Sequence, residues 1–211
     1  MKIPKVILLF LFPLSLFANH ENDLQLWSKY KLEKRLSKKE NLFFFYGNRI
    51  RENISITSKN LYDFSYQRSF KKFNIKIGYR NSHNYSKTNQ SSTSERLYFD
   101  STIRRKLNKF NFSNRIRYQT QKEMGEVEET LRFKFSVSHS KFKKIQPEIS
   151  YELFKDLSHK SQDKYRLTTS LNFDLKKRFE YEIYYRLQSA VNKLDNSFLY
   201  IVGSSISYRI K

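Results

Sequence analysis

The sequence contains no cysteine, only four glycines and three prolines, and one tryptophan. Without cysteine the chain forms no disulfide, no thiolate metal site and no cysteine nucleophile. Because glycine and proline are so rare, the chain must either be helical or consist of strands joined by turns built from other residues. No apolar run of helix length follows the N-terminal region, so that a membrane location would require strands.

The composition combines high charge with many aromatic residues. Lysine and arginine together number 41 against 20 acidic residues, and the formal net charge is +21. Phenylalanine and tyrosine contribute 19 and 15 residues. A soluble domain with this much charge usually has fewer aromatic side chains, and the length suggests a single domain.

The first eighteen residues have the pattern of a cleaved secretory signal peptide. Lys2 and Lys5 form a basic start, residues 6–17 are mostly apolar, and Ala18 suits the last position before cleavage. The apolar run is shorter than the ~20 residues of a transmembrane helix, and an uncleaved anchor or a buried N-terminal strand is the less favoured alternative. We therefore expect a signal peptide at 1–18 and one domain at 19–211.

Short basic or polar turns recur along the chain at intervals of about 35 residues, which indicates an internal repeat. They lie at 37–40, 71–72, 108–109, 141–144 and 176–178. Between them apolar and polar residues alternate: in residues 73–80 the odd positions are Phe, Ile, Ile and Tyr, and the even positions are Asn, Lys, Gly and Arg. A sustained period of two predicts strands rather than helices.

Eleven alternating segments are long enough to cross a bilayer as tilted strands, which takes ~9–11 residues. They lie at 23–36, 41–51, 60–70, 73–84, 95–107, 110–121, 127–139, 145–155, 163–175, 179–189 and 198–210. Longer polar stretches separate the hairpins at 52–59, 81–94, 121–126, 155–162 and 190–197. Because bacterial single-chain barrels normally have an even strand number, we expect 10 or 12 strands, with the path of the N-terminal segment left open.

These patterns predict an all-β fold, a closed antiparallel up-and-down transmembrane β-barrel of about 10–12 strands with short periplasmic turns and longer extracellular loops. In hydrocarbon every backbone polar group must be paired within the protein, which only a closed sheet of strands achieves. The Phe, Tyr, Ile and Leu face would meet lipid, with aromatic residues beside the turns and near the loops. A soluble β-sandwich is the alternative, with these aromatics as its core.

The opposite face of the strands is predicted to line the lumen. Its basic residues are Arg49, Arg51, Lys76, Arg80, Arg96, Arg104, Arg115, Arg117, Arg132, Lys134, Arg166 and Arg186. Its acidic residues are Asp100, Glu128, Glu148, Glu152, Asp174, Glu180 and Glu182. Two facing pairs are expected, Lys134 with Glu148 and Arg132 with Glu152. Unpaired buried ions are too costly for a dry core, so the lumen must be wet or crossed by ion pairs.

Several motifs resemble those of an uncharacterised family of bacterial outer-membrane proteins, domain of unknown function 2490. They are Asp23 to Trp27, the Leu32 to Lys39 turn, Arg49 and Arg51, Tyr79-Arg80, Pro147 to Phe154, Tyr184-Tyr185-Arg186 and the terminal strand Tyr200 to Ile210. Their order and spacing cover nearly the whole mature chain. The resemblance implies an outer-membrane barrel of unestablished function, with no catalytic residues to transfer.

Three kinds of function remain open from the sequence. A structural or binding role through the polar loops is the default, and a porin that prefers small anionic solutes or oligosaccharides is the alternative, because a basic lumen concentrates anions. An outer-leaflet lipid hydrolase is less favoured: His83 has Glu95 or Thr93 nearby, with Ser82 and Ser86, but no nucleophile stands at a fixed spacing. The chain is therefore expected not to be an enzyme.

Outer-membrane lipid, lipopolysaccharide and the barrel-assembly machinery are the expected partners. Gly203, Ile206 and Tyr208 alternate in the last strand as in the signal that this machinery reads, although Lys211 rather than an aromatic residue is last. Nucleic acid is not expected despite the isoelectric point of about 10.0, because export and the separation of aromatics from charges on opposite faces disfavour it. No cofactor or metal site is expected.

Overall fold

The computed structural model describes residues 23–88, 90–140, 145–158, 163–176, 178–191 and 198–210. Strands make up its regular structure, as the alternation predicts: β1 (Asp23–Arg35), β2 (Glu40–Arg51), β3 (Ile56–Ser69), β4 (Phe73–Tyr85), β5 (Ser91–Leu107), β6 (Phe110–Glu123), β7 (Glu126–His139), β8 (Ile145–Asp156), β9 (Lys164–Lys176), β10 (Phe179–Ala190) and β11 (Leu199–Ile210). Among these residues no helix has the length and apolarity to cross a membrane. The expected signal peptide lies outside the described residues.

The strands close into one barrel, in which each strand pairs antiparallel with the next. The seam joins β1 and β11, and these two strands are parallel, with Trp27 opposite Gly203. The predicted closed barrel of about 10–12 strands is confirmed. In the described part of the chain it has eleven strands, so that the expected even number, 10 or 12, was wrong, and one strand pair, β1 with β11, is parallel. An odd number makes the first and last strands run in the same direction, and a parallel ladder still pairs their backbone groups and removes both sheet edges.

The two ends of the barrel differ in their connections. The turn side carries the links from odd-numbered to even-numbered strands, such as residues 70–72 and 108–109, and the loop side carries the others. Three predicted loops are shorter than expected, and the one at 52–59 contracts because β3 already begins at Ile56. The stretch 121–126 contracts to the turn of Met124 and Gly125, whose positive φ angles of 50° and 85° suit a two-residue hairpin. Within 81–94, β4 and β5 stay paired as far as Tyr85 and Ser91.

The outer surface of the barrel is apolar, as the alternation predicts. Phe64, Ile77, Leu97 and Ile116 each leave half or more of their surface exposed. Ring pairs gather at the turn side: Phe70 with Phe73 at 4.9 Å, Phe179 with Tyr208 at 4.8 Å and Phe110 with His139 at 4.9 Å between centroids. An apolar wall with an aromatic margin is suited to a bilayer and its interface.

The inner surface has little apolar core. Trp27, Tyr184 and Ile201 form a hydrophobic cluster of buried residues on the three strands around the seam. Inward-facing glycines make room for large side chains of the adjacent strand, so that a Cβ atom at Gly78 would lie 2.2 Å from Tyr98 Cζ and one at Gly203 would lie 2.3 Å from Tyr184 Cζ. Elsewhere the interior is filled by charged and polar side chains.

Candidate functional site in the barrel lumen

The lumen holds two cavities that follow one another along the barrel. The larger, of about 760 Å³, is lined by thirteen basic and seven acidic residues. The smaller, of about 610 Å³, lies towards the turn side. Lys76, Asp100, Arg115 and Lys134 belong to the walls of both cavities. The interior is therefore a basic compartment that extends through much of the barrel.

Strand parity places nearly all the predicted lumen residues on the cavity walls. The larger cavity is lined by Arg49, Lys76, Arg80, Arg96, Arg115, Arg117, Arg132, Lys134, Arg166, Arg186, Asp100, Glu128, Glu152, Glu180 and Glu182. Arg104 and Glu148 line the smaller one. Two residues lie near opposite ends instead: Arg51 donates from Nη2 to the backbone oxygen of Tyr85 at 3.0 Å on the loop side, and Asp174 is exposed near the turn side.

One wall of the lumen, formed by β3 to β9, carries a network of ion pairs. Arg117 donates two hydrogen bonds to Asp100, at 2.6 Å and 2.7 Å. Arg80 pairs with Asp63 at 2.9 Å, and the Tyr98 hydroxyl donates to the other oxygen of Asp63 at 2.8 Å. Bidentate arginine–carboxylate bonds are both strong and directional. These acids are therefore occupied by the wall itself.

Glu152 is the centre of the second part of this network, which we call the Glu152 cluster. Its carboxylate accepts from Arg132 at 2.8 Å and from Arg115 at 2.6 Å, and Arg166 lies 3.6 Å away. Arg132 also donates to the side-chain oxygen of Gln119 at 3.2 Å. The expected pairs of Arg132 with Glu152 and of Lys134 with Glu148 both form, but between diagonal rather than facing positions, since Lys134 faces Glu152 in the register.

The opposite wall, formed by β1, β2, β10 and β11, pairs cations with aromatic rings. The guanidinium carbon of Arg49 lies 3.8 Å from the centroid of the Trp27 ring, and that of Arg186 lies 3.8 Å from the Tyr184 ring. Lys29 lies 5.1 Å from the same tyrosine ring. Such contacts stabilise a cation without neutralising it. Arg49 and Arg186 on this wall therefore keep their positive charge.

Lumen aromatics are the residues that the sequence interpretation missed. It placed aromatics and charges on opposite faces, yet Trp27, Phe43, Phe45, Tyr98 and Phe154 all line the larger cavity. The signal was present in the strand parity, because Trp27 shares its face with Lys29 and Tyr98 shares its face with Asp100. The expected separation of aromatics and charges was therefore wrong at these positions.

The residues considered for a hydrolase do not converge. His83 faces Thr93 across the β4–β5 ladder and lies on the exposed face, where its ring meets the edge of Tyr62. Ser82 is buried on the opposite face. Glu95 accepts a hydrogen bond from the Tyr79 hydroxyl at 2.8 Å. Across the described ranges no group of three or more His, Asp or Glu side chains is placed to hold a metal ion.

The sequence profile of the family described as "Protein of unknown function (DUF2490)" matches residues 24–198. This chain belongs to the DUF2490 family. No curated protein sequence matches the DUF2490 protein. Several solved structures are similar to this chain in fold at low sequence identity.

Three of these structures are outer-membrane barrels or parts of them. The NanC porin has 10% identity and a TM-score of 0.52, with 78% of this chain and 86% of that chain covered. The KdgM porin in complex with disordered oligogalacturonate has 9% identity and a TM-score of 0.48, covering 81% and 92%. The translocator domain of the autotransporter NalP from Neisseria meningitidis has 8% identity and a TM-score of 0.46, covering 74% and 70%.

Proposed function

We propose that this DUF2490 protein is an outer-membrane porin that passes small anionic solutes through its basic lumen. The observation that carries the proposal is the unequal distribution of charge. Asp63, Asp100 and Glu152 are held by arginines of one wall, whereas Arg49 and Arg186 on the other wall rest on aromatic rings. Basic rings in a pore favour anions, and these three acids are already paired with arginines of their own wall.

The two cavities supply the path. They share wall residues at Lys76, Asp100, Arg115 and Lys134, where a solute would pass from one to the other. An interior with this many ions is stable only when water or counter-ions reach it, because burying unpaired charge in a dry core is too costly. A hydrated, positively charged passage is the physical requirement for an anion pore.

The apolar exterior supports the outer-membrane location. Outward side chains such as Ile77 and Leu97 are exposed in the described structure and would contact acyl chains. In this proposal the signal peptide directs export, the barrel-assembly machinery inserts the chain, and lipopolysaccharide surrounds the loop side. The likeness of fold to the NanC porin is consistent with such a role.

The test is the reversal potential of the purified barrel in a planar lipid bilayer under a potassium chloride gradient. In an anion-preferring pore the reversal potential has the same sign as the equilibrium potential of chloride. Lys76→Glu and Lys134→Glu, which change residues shared by both cavities, should shift it towards cation preference because each replaces a positive with a negative charge. Lys72→Glu, at an exposed turn outside both cavity walls, is the matched control.

Two results would overturn the pore. One is the absence of current in every salt, which would leave a structural or binding role for the barrel. The other is a reversal potential that moves equally in Lys72→Glu and Lys76→Glu, since selectivity would then arise outside the lumen.

A further inference from the structure

Trp27 is surrounded by guanidinium groups from three strands. The guanidinium carbon of Arg49 lies 3.8 Å from the ring centroid, that of Arg166 lies 5.4 Å away and that of Arg186 lies 5.5 Å away. Since all three distances are measured from one ring, no two of the three guanidinium carbons are more than about 11 Å apart. We call Trp27 with these three arginines the Trp27 site.

The three arginines differ in how far their charge is compensated. Arg166 donates to the side-chain oxygen of Gln188 at 3.0 Å and lies 3.6 Å from Glu152. Within the described ranges neither Arg49 nor Arg186 has a carboxylate within 4 Å or a side-chain hydrogen bond of its guanidinium. Two guanidinium groups at one place therefore keep both their charge and their N–H donors.

The residues around the Trp27 site are buried and hold its side chains in fixed positions. Trp27 is only 4% exposed, and it packs with Tyr184 and Ile201 in the cluster beside the seam. The register sets Arg49 directly opposite Trp27 on β2. The Tyr184 ring beneath Arg186 is fixed above Gly203, and its hydroxyl donates to the Trp27 backbone oxygen at 3.4 Å. The rings that hold the cations are thus themselves held in place.

Other charged groups face the Trp27 site from neighbouring strands. Lys29 adds a further positive charge beside Tyr184. Glu182 occupies the same level as Lys29 across β11, because both residues face Ser205 in their ladders. The acid therefore lies at the level of Lys29, one inward position nearer to the turn side than Trp27. Among the described residues neither Arg49 nor Arg186 forms an ion pair with an acid.

We propose that the Trp27 site binds a multivalent oxyanion, such as sulfate, phosphate or the phosphate group of a small solute. The planar N–H forks of arginine match two oxygens of such a group, which a spherical chloride ion does not offer. More than one negative charge is needed to balance Arg49 and Arg186 together. This inference names the solute class of the proposed pore, but it requires only that the lumen admits solute and not that solute crosses.

The test uses the fluorescence of Trp27, which is the one tryptophan in the sequence. The full barrel in detergent micelles is titrated with sodium sulfate, and separately with inorganic phosphate, while sodium chloride keeps the ionic strength constant. We expect a saturable change in emission with sulfate or phosphate and none with further chloride. Arg49→Gln and Arg186→Gln should each raise the midpoint at least about tenfold, because each removes a charge-assisted hydrogen-bond donor.

Arg104→Gln is the matched control. It removes the same type of side chain from the wall of the smaller cavity, away from Trp27, and it should leave the midpoint unchanged. Calorimetric titration with sulfate provides a second measurement for any variant whose baseline emission changes, and circular dichroism shows that each variant is folded.

Three outcomes would overturn the Trp27 site. The emission could change linearly with sulfate, or it could change as much with chloride as with sulfate. The third outcome is a midpoint that Arg104→Gln shifts as much as Arg49→Gln does. The outcome is separable from that of the pore. Saturable binding in a barrel that passes no current supports the site and overturns the pore, while anion-selective current with a linear fluorescence response does the reverse.

Discussion

The ring of Tyr98 covers Gly78 on the adjacent strand, and its hydroxyl donates to Asp63 at 2.8 Å. The guanidinium carbon of Arg117 lies 3.9 Å from the centroid of the same ring. Tyr98 therefore connects two ion pairs of the lumen wall, that of Asp63 with Arg80 and that of Asp100 with Arg117. The absence of a side chain at Gly78 is what allows the ring to lie flat between them.

Gly78→Ala should destabilise the barrel. A Cβ atom at this position would lie 2.2 Å from Tyr98 Cζ, so the ring must move and lose its bond to Asp63. We expect a loss of about 1–3 kcal/mol in the free energy of unfolding, as for other overpacked interiors. Urea unfolding in detergent or lipid measures it, with Tyr98→Phe isolating the contribution of the hydroxyl. Unchanged stability in Gly78→Ala would show that the ring does not need this space.

Glu152→Gln should also destabilise the barrel. The substitution leaves Arg115, Arg132 and Arg166 without the carboxylate that they share. Removing one partner of a buried ion pair costs about 3–5 kcal/mol in a dry interior, and water in the lumen places the expected loss near or below the lower end of that range. Glu148→Gln is the control, because Glu148 is more exposed and has Lys134 at 3.6 Å. Equal losses in the two variants would contradict the central role of Glu152.

Arginine substitutions on the outer face should destabilise the barrel more strongly near the middle of the bilayer than near its surface. Ile77 lies near the middle of β4 and is 57% exposed, whereas Val127 lies at the loop-side end of β7 and is 44% exposed. In a bilayer Ile77→Arg should cost about 2–4 kcal/mol and Val127→Arg about 0–1 kcal/mol. Unfolding in lipid vesicles measures both. If the two substitutions cost the same, the outer face is not in contact with a bilayer.

The parallel seam can be tested by cross-linking, since the chain has no cysteine of its own. Tyr30 and Ile206 face each other across β1 and β11, and both are exposed on the outer surface. The double variant Tyr30→Cys with Ile206→Cys should form a disulfide under mild oxidation, because directly paired positions suit disulfide geometry. Tyr30→Cys with Ile210→Cys, on the same face but out of register, should not. If the barrel closed with twelve strands, the Tyr30→Cys/Ile206→Cys variant would not form more disulfide than the Tyr30→Cys/Ile210→Cys variant.

The connection between β8 and β9 should respond to acid. Asp163 accepts from the Lys155 ammonium at 2.8 Å and from the backbone N–H of Asp156 at 3.0 Å, and these bonds lower the pKa of the Asp163 carboxyl. A lowered pKa means that their stabilisation is present above the ordinary aspartate pKa and is lost as the pH falls through the lowered value. Carboxyl NMR titration should show this shift, and Lys155→Met should reduce it. An unchanged pKa in Lys155→Met would contradict the assignment.

Alternation was enough to predict the strands and the outer face. It has a period of two, so that once Ile77 is outside, Lys76 must be inside, whatever the neighbouring strand contributes. The same rule applied to Trp27 would have placed it among the lumen cations, because it shares its face of β1 with Lys29. The predicted loop at 121–126 was too long because polar residues in water continue an antiparallel ladder as readily as they end it.

The sequence predicted two of the ion pairs, Arg132 with Glu152 and Lys134 with Glu148, but not the rest of the network, such as Arg115 with Glu152 or Tyr98 with Asp63. Arg132 faces Phe154 in the register, yet its carboxylate is Glu152, one inward position away. Long arginine side chains reach diagonal neighbours, and which acid they meet depends on strand register, tilt and the space left by neighbours such as Gly78. None of these is encoded in the local pattern.

Alternation along the sequence is sufficient to predict long strands with one apolar and one ionic face, because those properties arise residue by residue. The tertiary structure was needed to show that, in the described part of the chain, eleven strands close through a parallel seam, acids of one lumen wall are held by arginines, and three arginines surround Trp27. These features join residues far apart in the sequence. β1 meets β11 only after every intervening strand pair has its register, and which charged side chains face one another in the lumen depends on all of those registers.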